Sequence, residues 1–378
     1  MPSSRRFGAL LLGIPLAWQP LATQDARPGD EAGGRAVGIP VPGLDSGTLR
    51  AACLDLYGRP PLEGERQTWL GKARHAWVDG ALANAESWRF WLEEQLYYFL
   101  LIDNFRPESE RVESIPDALA QGRLNVRDAI HRVALSPSFD QRNPGADTFV
   151  TVVMEQLVGM RVQKHVRELE IGKAIYDGRP GSFLGKTGST QADIVRIAIE
   201  DRSFAQTFLA REHRRILGAD PEPKALAEWV RQFQRDAGEY RSILRGWLLS
   251  PEWDARRASK LDVPNRIWVR MLYVDLLGRL PDEDEARRLR SALDGLSDAG
   301  PLRAVFARIL IDSGQVHVAG PNTSTDRARW VSELFERLLG RAPRESELAA
   351  FVETMKDPAC SAELVLRAIV THPEYPTY

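Results

Sequence analysis

Apolar positions along most of the chain recur at intervals of three and four residues, as in Val365, Leu366, Ala368 and Ile369. This spacing places apolar side chains on one face of an α-helix. Alternation of apolar and polar residues, which is typical of strands, does not extend beyond a few residues anywhere. The pattern predicts an all-α fold, in which degenerate helix-pair repeats pack as a multi-helical array or a compact bundle.

A short signature interrupts the helical pattern, and its best copies are Leu-Leu-Gly-Arg-Leu-Pro at 276–281 and Leu-Leu-Gly-Arg-Ala-Pro at 338–343. Glycine stands where an apolar helix ends, a place that often needs a left-handed backbone. Proline three residues later suits the first turn of a following helix. Over five copies, the predicted signature residues are Gly58, Arg59, Pro61, Gly159, Gly218, Pro221, Gly278, Arg279, Pro281, Gly340, Arg341 and Pro343.

The arginine of the signature precedes a glutamate by four residues in three copies, at Arg59, Arg279 and Arg341. We interpret it as a local pair that ties the turn to the next helix, or as a cap on the last carbonyls of the helix before. A ligand-binding arginine is the alternative.

Four of the signature glycines follow one another at intervals of about sixty residues, a spacing typical of stacked repeat units. A second pattern, a helix running into Ser-Pro or His-Pro and then an aromatic residue, closes several units, as at 135–139, 249–253 and 371–375. The aromatic rings are expected to lie in the core. The predicted units span 47–145, 146–206, 207–259, 260–319 and 320–378.

The two signatures together resemble the helical repeat domains of unknown function in exported bacterial proteins, including phycobilisome-linker-like and planctomycete-type repeats. The segments 267–316 and 330–375 carry the resemblance best. It implies a helical fold and an extracytoplasmic setting. It implies no enzymatic activity and supplies no catalytic residue.

The first 46 residues differ from the rest. Arg5 and Arg6 precede a short apolar run that ends near Trp18, which predicts an export signal over 1–24, too short to span a bilayer. Residues 25–46 contain Arg-Pro-Gly-Asp-Glu-Ala-Gly-Gly and Ile-Pro-Val-Pro-Gly and lack helical periodicity, which predicts a flexible linker. The protein is therefore expected to be periplasmic or secreted, with no transmembrane span after removal of the signal.

Two irregular segments are candidates for function. An insertion at 80–120 contains the most apolar stretch, 88–102, which predicts a central core helix; a partner-facing or membrane-surface helix is the alternative. The segment 172–192 contains Gly-Lys-Thr, the end of a phosphate-binding loop, but Pro180 stands where that loop requires its first glycine. We therefore interpret 172–192 as a glycine-rich loop between helices.

Composition and motifs give no sign of catalysis. A net charge of −2 and a pI near 6.4 argue against a nucleic-acid-binding face. The six histidines lack the spacing of metal ligands, and no nucleophile motif is present. We predict no catalytic, cofactor-binding or metal-binding residue. Whether Cys53 and Cys360 form a disulfide depends on the arrangement of the units, because only a closed arrangement would bring the ends of the chain together.

The leading hypothesis is a non-catalytic scaffold or protein-interaction module at the bacterial cell envelope, with another envelope protein as partner. The alternative is an envelope enzyme with a site between 80–120 and 172–192, marked by a pocket with at least two carboxylates. A glycan is a further candidate ligand, which Trp77 or Trp88 would bind if they were exposed in a row.

Overall fold

A computed structural model of the chain describes residues 43–100, 110–259, 262–321 and 326–377. These residues are mainly helical, and the all-α prediction is confirmed. Within these ranges no helix has both the length and the apolar character that crossing a membrane demands. The predicted export signal at 1–24 and nearly all of the predicted linker lie outside the described residues.

The helices and strands follow one another in a simple order. The elements are α1 (Ser46–Tyr57), α2 (Glu63–Trp69), α3 (Arg74–Leu82), α4 (Ala85–Leu100), α5 (Glu110–Glu113), α6 (Ile115–Ala120), α7 (Val126–Ala134), α8 (Pro137–Arg142), α9 (Gly145–Val152), α10 (Val166–Tyr176), β1 (Gly181–Phe183), β2 (Lys186–Gly188), α11 (Gln191–Glu200), α12 (Arg202–Leu217), α13 (Pro223–Arg235), α14 (Tyr240–Leu248), α15 (Pro251–Ala258), α16 (Asn265–Leu277), α17 (Glu283–Asp294), α18 (Gly300–Asp312), α19 (Asp326–Leu339), α20 (Glu345–Thr354) and α21 (Ala362–Val370). A π-helical turn, Val153–Val158, extends α9, and 3-10 turns occupy Val162–Lys164 and Ala237–Glu239.

Four of the units contain three helices each: α1 to α3, α12 to α14, α16 to α18 and α19 to α21. The signature lies between the first and second helix of each unit, so the predicted pair is followed by a third helix. The five signature glycines have φ between 63° and 79°, the left-handed conformation that glycine adopts most readily.

Helix α1 lies at the centre of the fold, with eleven of its twelve residues buried. Leu49 and Cys53 belong to a core that extends to Trp253, whereas Leu54 belongs to a second core built from residues 263–375 and joined by Phe90. The first helix therefore connects the two cores, and the units form a compact bundle. Burial raises the pKa of the Cys53 thiol well above its usual value, and both cysteines are free.

Two glycines form a close contact between the first and fifth units. A Cβ atom added to Gly47, at the start of α1, would lie 2.2 Å from the carbonyl oxygen of Gly340. No side chain fits between these backbones, so glycine at position 47 allows α1 to pack against α19.

We expect Gly47→Ala to lower the free energy of unfolding by about 1–3 kcal/mol, because a backbone oxygen must move to admit the methyl group. Gly64→Ala is the matched control, since nothing lies within 4 Å of a Cβ at that helical position. The control should be neutral or stabilising by up to about 1 kcal/mol. Urea unfolding of both variants checks this, and equal stability of the two would contradict it.

Helix α4 matches the prediction for the apolar stretch at 88–102 as far as Leu100; residues 101–102 lie outside the described ranges. Trp88, Phe90, Trp91 and Phe99 are all buried. The helix packs against α1, α3, α6 and α8. It is a core helix, and Tyr97 is its one substantially exposed ring among the described residues.

The segment 172–192 contains a small β-hairpin that the sequence did not predict. Strands β1 and β2 pair antiparallel through a two-residue turn in which Leu184 has φ 48° and Gly185 has φ 77°. Such a turn needs left-handed backbone at both positions, which leucine rarely supplies. The Leu184 N–H donates to Glu168 Oε2 (3.0 Å), and its side chain packs on the core. The Gly-Lys-Thr sequence is part of this hairpin.

Candidate functional site

The signature arginine of the first unit is held by two carboxylates. Arg59 donates from Nη1 and Nη2 to Glu65 (2.7 and 2.9 Å) and from Nε and Nη2 to Glu86 (2.6 and 2.9 Å). Nη1 also donates to the Pro60 carbonyl oxygen (3.0 Å). We call this arrangement the double-carboxylate clamp. Its partner on α2 is Glu65, six residues after the arginine. The sequence predicted a pair with Glu63, four residues after the arginine, and that prediction was wrong.

The fifth unit repeats the clamp. Arg341 donates to Glu347 (2.7 and 2.9 Å), to Glu374 (2.7 and 3.1 Å) and to the Ala342 carbonyl oxygen (3.0 Å). Glu347 also accepts the Arg344 N–H (2.7 Å), as an N-cap contact. The clamp therefore fixes the turn, the start of the second helix and the segment after the third helix at once.

The fourth unit has only half of the clamp. Arg279 donates to Glu285 (2.9 and 3.1 Å) and to the Leu280 carbonyl oxygen (3.0 Å). In the part of the chain that the structure describes, no second carboxylate pairs with it. Its side chain is 45 % exposed, compared with 3 % for Arg59 and 22 % for Arg341.

Sequence explains why the clamp of the fourth unit is incomplete. Glu86 and Glu374 each stand four residues after the last residue of the third helix in their units, α3 and α21. The four residues after α18, 313–316, are Ser-Gly-Gln-Val and contain no acid. The sequence signals this difference, because no Ser-Pro or His-Pro followed by an aromatic residue closes the fourth unit after α18. Because Glu86 completes the clamp of the first unit, that unit ends at the start of α4. The closing pattern at 135–139 does not mark its end.

The remaining signature positions are structural. Gly159 and Gly218 end helices without a following arginine, since Met160 and Ala219 occupy that place. The four signature prolines come directly before N-cap residues, so they precede the next helix and do not form its first turn, as the sequence had suggested. These prolines are Pro61, Pro221, Pro281 and Pro343, before Leu62, Glu222, Asp282 and Arg344.

The clamps also predict how the stability of the protein changes at low pH. Hydrogen bonds from Arg279 and Arg341 are the main cause that lowers the pKa of Glu285 and of Glu347 from 4.5 to about 2. A carboxylate with a depressed folded-state pKa contributes stability above its ordinary pKa and loses it as pH falls through the folded value. We expect Glu347→Gln to reduce the loss of stability between pH 4.5 and 2, measured by urea unfolding at each pH. An unchanged pH profile would contradict this.

A buried ion pair joins the first unit to the fourth. Arg50 donates from Nη1 and Nη2 to Asp275 (2.9 and 2.7 Å), and both side chains are 4 % exposed. The Tyr375 hydroxyl donates to the same carboxylate (2.8 Å). Every partner is internal, so this triad holds units together and leaves no group for chemistry.

A second buried carboxylate, Asp55 of α1, accepts hydrogen bonds from Trp253 Nε1 and Arg256 Nη1, each at 2.7 Å. These donors come from α15, which follows the third unit. Trp253 is the ring of the closing pattern, and its indole N–H is thus used in the core. The closing pattern supplies packing and one buried donor.

A third buried carboxylate, Glu212 of α12, is surrounded by donors. Tyr240 donates its hydroxyl (2.7 Å), Gln95 its amide (3.0 Å) and Arg215 its guanidinium (3.0 and 3.1 Å). Despite its burial, these neighbours lower the pKa of Glu212. A carboxylate that is ionised and fully paired is poorly suited to proton transfer.

The proposed cleft between 80–120 and 172–192 is occupied by aromatic rings. Phe99 contacts Phe139, which contacts Phe149, which contacts Tyr176, with centroids 5.4–6.3 Å apart. Phe183 of the hairpin is also fully buried in this core. Among the residues that the structure describes, these packed rings leave no space for two carboxylates and a substrate, so they give this enzyme site no support.

The tryptophans considered for glycan binding are not on the surface. Trp77 and Trp88 are both buried, and Trp88 Nε1 donates to the Leu82 carbonyl oxygen (2.8 Å). Among the described residues, no group of three or more histidine, cysteine or acidic side chains is placed to hold a metal ion.

Exposed apolar side chains concentrate in the fourth unit. Leu280, Leu296, Val305 and Ile309 are four of the eight large apolar residues that are substantially exposed among the described residues. Val305 and Ile309 lie one turn apart on α18, and Leu280 follows Arg279 directly. The unit with the incomplete clamp is therefore also the unit with the most exposed apolar surface.

Comparison of the chain with protein families, with curated proteins and with solved structures gave no match.

Proposed function

We propose that the chain is an exported, non-catalytic scaffold of the bacterial cell envelope that binds another envelope protein through its fourth unit. The observation that carries the proposal is the half-clamp at Arg279, which lies in the same unit as four exposed apolar side chains. The charged groups in the core are paired within the chain, which favours an architectural role over a catalytic one.

The complete clamps identify the chemistry that the half-clamp lacks. In both of them the second carboxylate belongs to a glutamate just after a helix end, Glu86 or Glu374. An acidic side chain of a partner, presented on a similar helix–turn segment, would fit the open side of Arg279. Planar pairing between guanidinium and carboxylate gives such a contact direction as well as charge.

One exposed ion pair contributes only about 0.2–1 kcal/mol, so Arg279 alone would not hold a partner. Burial of an apolar side chain contributes about 1.5–3 kcal/mol. Val305 and Ile309 on α18 therefore supply most of the affinity in this proposal, while Arg279 selects an acidic segment.

Binding is tested with envelope extract passed over immobilised protein. Arg279→Gln should weaken capture of the partner up to about fivefold, and Val305→Ser should weaken it more. Arg287→Gln, on an exposed arginine of α17 that pairs with Asp284, is the matched control and should retain the partner. A photo-reactive residue at Leu280 should cross-link to an acidic segment of that partner.

Capture that Arg279→Gln leaves unchanged, or cross-links only to segments without acidic residues, would overturn the docking role. Hydrolysis of a glycan or ester panel by the purified protein would overturn the non-catalytic role.

Export is tested separately. Residues 1–46 are fused to a phosphatase that is active only outside the cytoplasm. Activity in intact cells supports the proposed location, and an inactive fusion overturns it.

A further inference from the structure

A cavity of about 370 Å³ opens where the first, fourth and fifth units meet. Arg66 of α2 and Arg337 of α19 both line it, together with the end of α16 and the segment 315–318. Leu276 and Leu366 supply apolar wall. The cavity is separate from the half-clamp, because Arg279 does not line it.

Arg66 is held in place and is poorly neutralised. Its Nη1 donates to Ser46 Oγ (2.9 Å), and that hydroxyl donates to the Glu336 carbonyl oxygen (2.7 Å). The acid paired with it, Glu63, lies 3.7 Å from Nε and is largely exposed. Burial is the main cause that lowers the pKa of Arg66; the charge of Glu63 opposes this shift, and the charges of Arg337 and Arg50 reinforce it.

Arg337 has an unused donor. Its Nε is buried and has no hydrogen-bond partner among the described residues. Buried donors in proteins are nearly always paired, with protein groups, with water or with a ligand. An unused guanidinium N–H beside a second arginine is an arrangement that an anion would complete.

Two acids line the cavity, Glu63 and Asp275, and only Glu63 pairs with one of the two arginines, through its 3.7 Å contact with Arg66 Nε. Asp275 lines the cavity, but Arg50 donates to both of its oxygens (2.9 and 2.7 Å) and the Tyr375 hydroxyl donates to one of them (2.8 Å). Glu63 offsets part of the charge of Arg66, and the remaining positive charge of Arg66 and Arg337 is available to a ligand.

We propose that this cavity binds a small organic acid, with its carboxylate between Arg66 and Arg337 and its apolar body against Leu276 and Leu366. Guanidinium groups match a carboxylate in charge and in planar geometry. The volume lies at the lower end of the range of small-molecule pockets. A ligand there contacts three units, so its binding stabilises the closed bundle.

The experiment measures thermal unfolding of the full chain at constant ionic strength with hexanoate, acetate or inorganic phosphate. Hexanoate at millimolar concentration should raise the melting temperature, and acetate should act more weakly because it lacks the apolar body. Arg337→Met should weaken the hexanoate response at least tenfold in concentration. Arg329→Met, on an exposed arginine of the same helix, is the matched control and should respond like the original protein.

A second readout separates ligand binding from a structural role. Without ligand, Arg337→Met should be at least as stable as the original protein, because it removes an unpaired charge and keeps the side-chain stem. A clearly lower melting temperature would overturn the proposal, and so would a hexanoate response that is absent from the original protein or unchanged in Arg337→Met. A phosphate response as large as that to hexanoate would overturn the assignment to an organic acid.

Discussion

Replacement of Asp275 by asparagine is expected to lower the free energy of unfolding by about 3–5 kcal/mol, the cost of leaving a buried charge without its partner. Arg50 is 4 % exposed, so little solvent reaches its guanidinium. Asparagine keeps the shape of the side chain and removes the charge, so the effect reports electrostatics and not a cavity. Urea unfolding followed by circular dichroism measures it.

Two controls accompany this variant. Glu333→Gln removes one partner of an exposed pair on α19 and should change stability by about 0.5 kcal/mol or less. The double variant Arg50→Met with Asp275→Asn should recover part of the loss, because the unpaired charge is gone. A loss below about 1 kcal/mol for Asp275→Asn alone would mean that the triad does not hold the units together.

The three signature arginines should differ in their effect on stability, although each follows the signature glycine and precedes the signature proline by two residues. Arg59→Met should cost about 3–5 kcal/mol, because two partly buried carboxylates would lose a fully buried cation. Arg341→Met should cost less, about 1–3 kcal/mol, because its clamp is more exposed. Arg279→Met should cost about 1 kcal/mol or less, as expected for an exposed pair.

Each arginine also lies over an aromatic ring, at 5.1 Å from Tyr57, 5.3 Å from Tyr273 and 5.4 Å from Phe335. Methionine retains an apolar contact with these rings, so the series compares the carboxylate pairings. Urea unfolding of the three variants provides the ranking. Equal losses at Arg59 and Arg279 would show that the second carboxylate contributes nothing.

The sequence predicted the helix ends well because the rule that places glycine there is local. The sequence-based prediction of a partner for the signature arginine failed because a spacing of four residues brings side chains together only within one helix. The left-handed glycine, for example Gly58, ends α1 just before Arg59, and the non-helical segment from Arg59 to α2 brings Glu65 to the guanidinium and leaves Glu63 exposed. A pairing across a turn depends on geometry that residue spacing does not contain.

Other features of the structure depend on contacts between residues far apart in the chain, so they could not be predicted from the sequence. Glu86 completes a clamp although its segment, Asn-Ala-Glu-Ser-Trp at 84–88, lacks the proline of the other closing patterns. The turn at Leu184 was missed because leucine is a poor choice for that conformation, and Glu168 and core packing support it from outside the turn. The cavity with Arg66 and Arg337 is assembled from residues far apart in the chain, which no motif connects.

The contact between Gly47 and Gly340 has a consequence for how such a protein can evolve. An open repeat array can gain or lose a unit by duplication or deletion at little cost, since its two ends are independent. In this protein an extra unit would move position 340 away from position 47, and a missing one would expose the surface of α1. The number of units is therefore fixed by the closure, and diversification must proceed by substitution within a unit, as the altered residues after α18 illustrate.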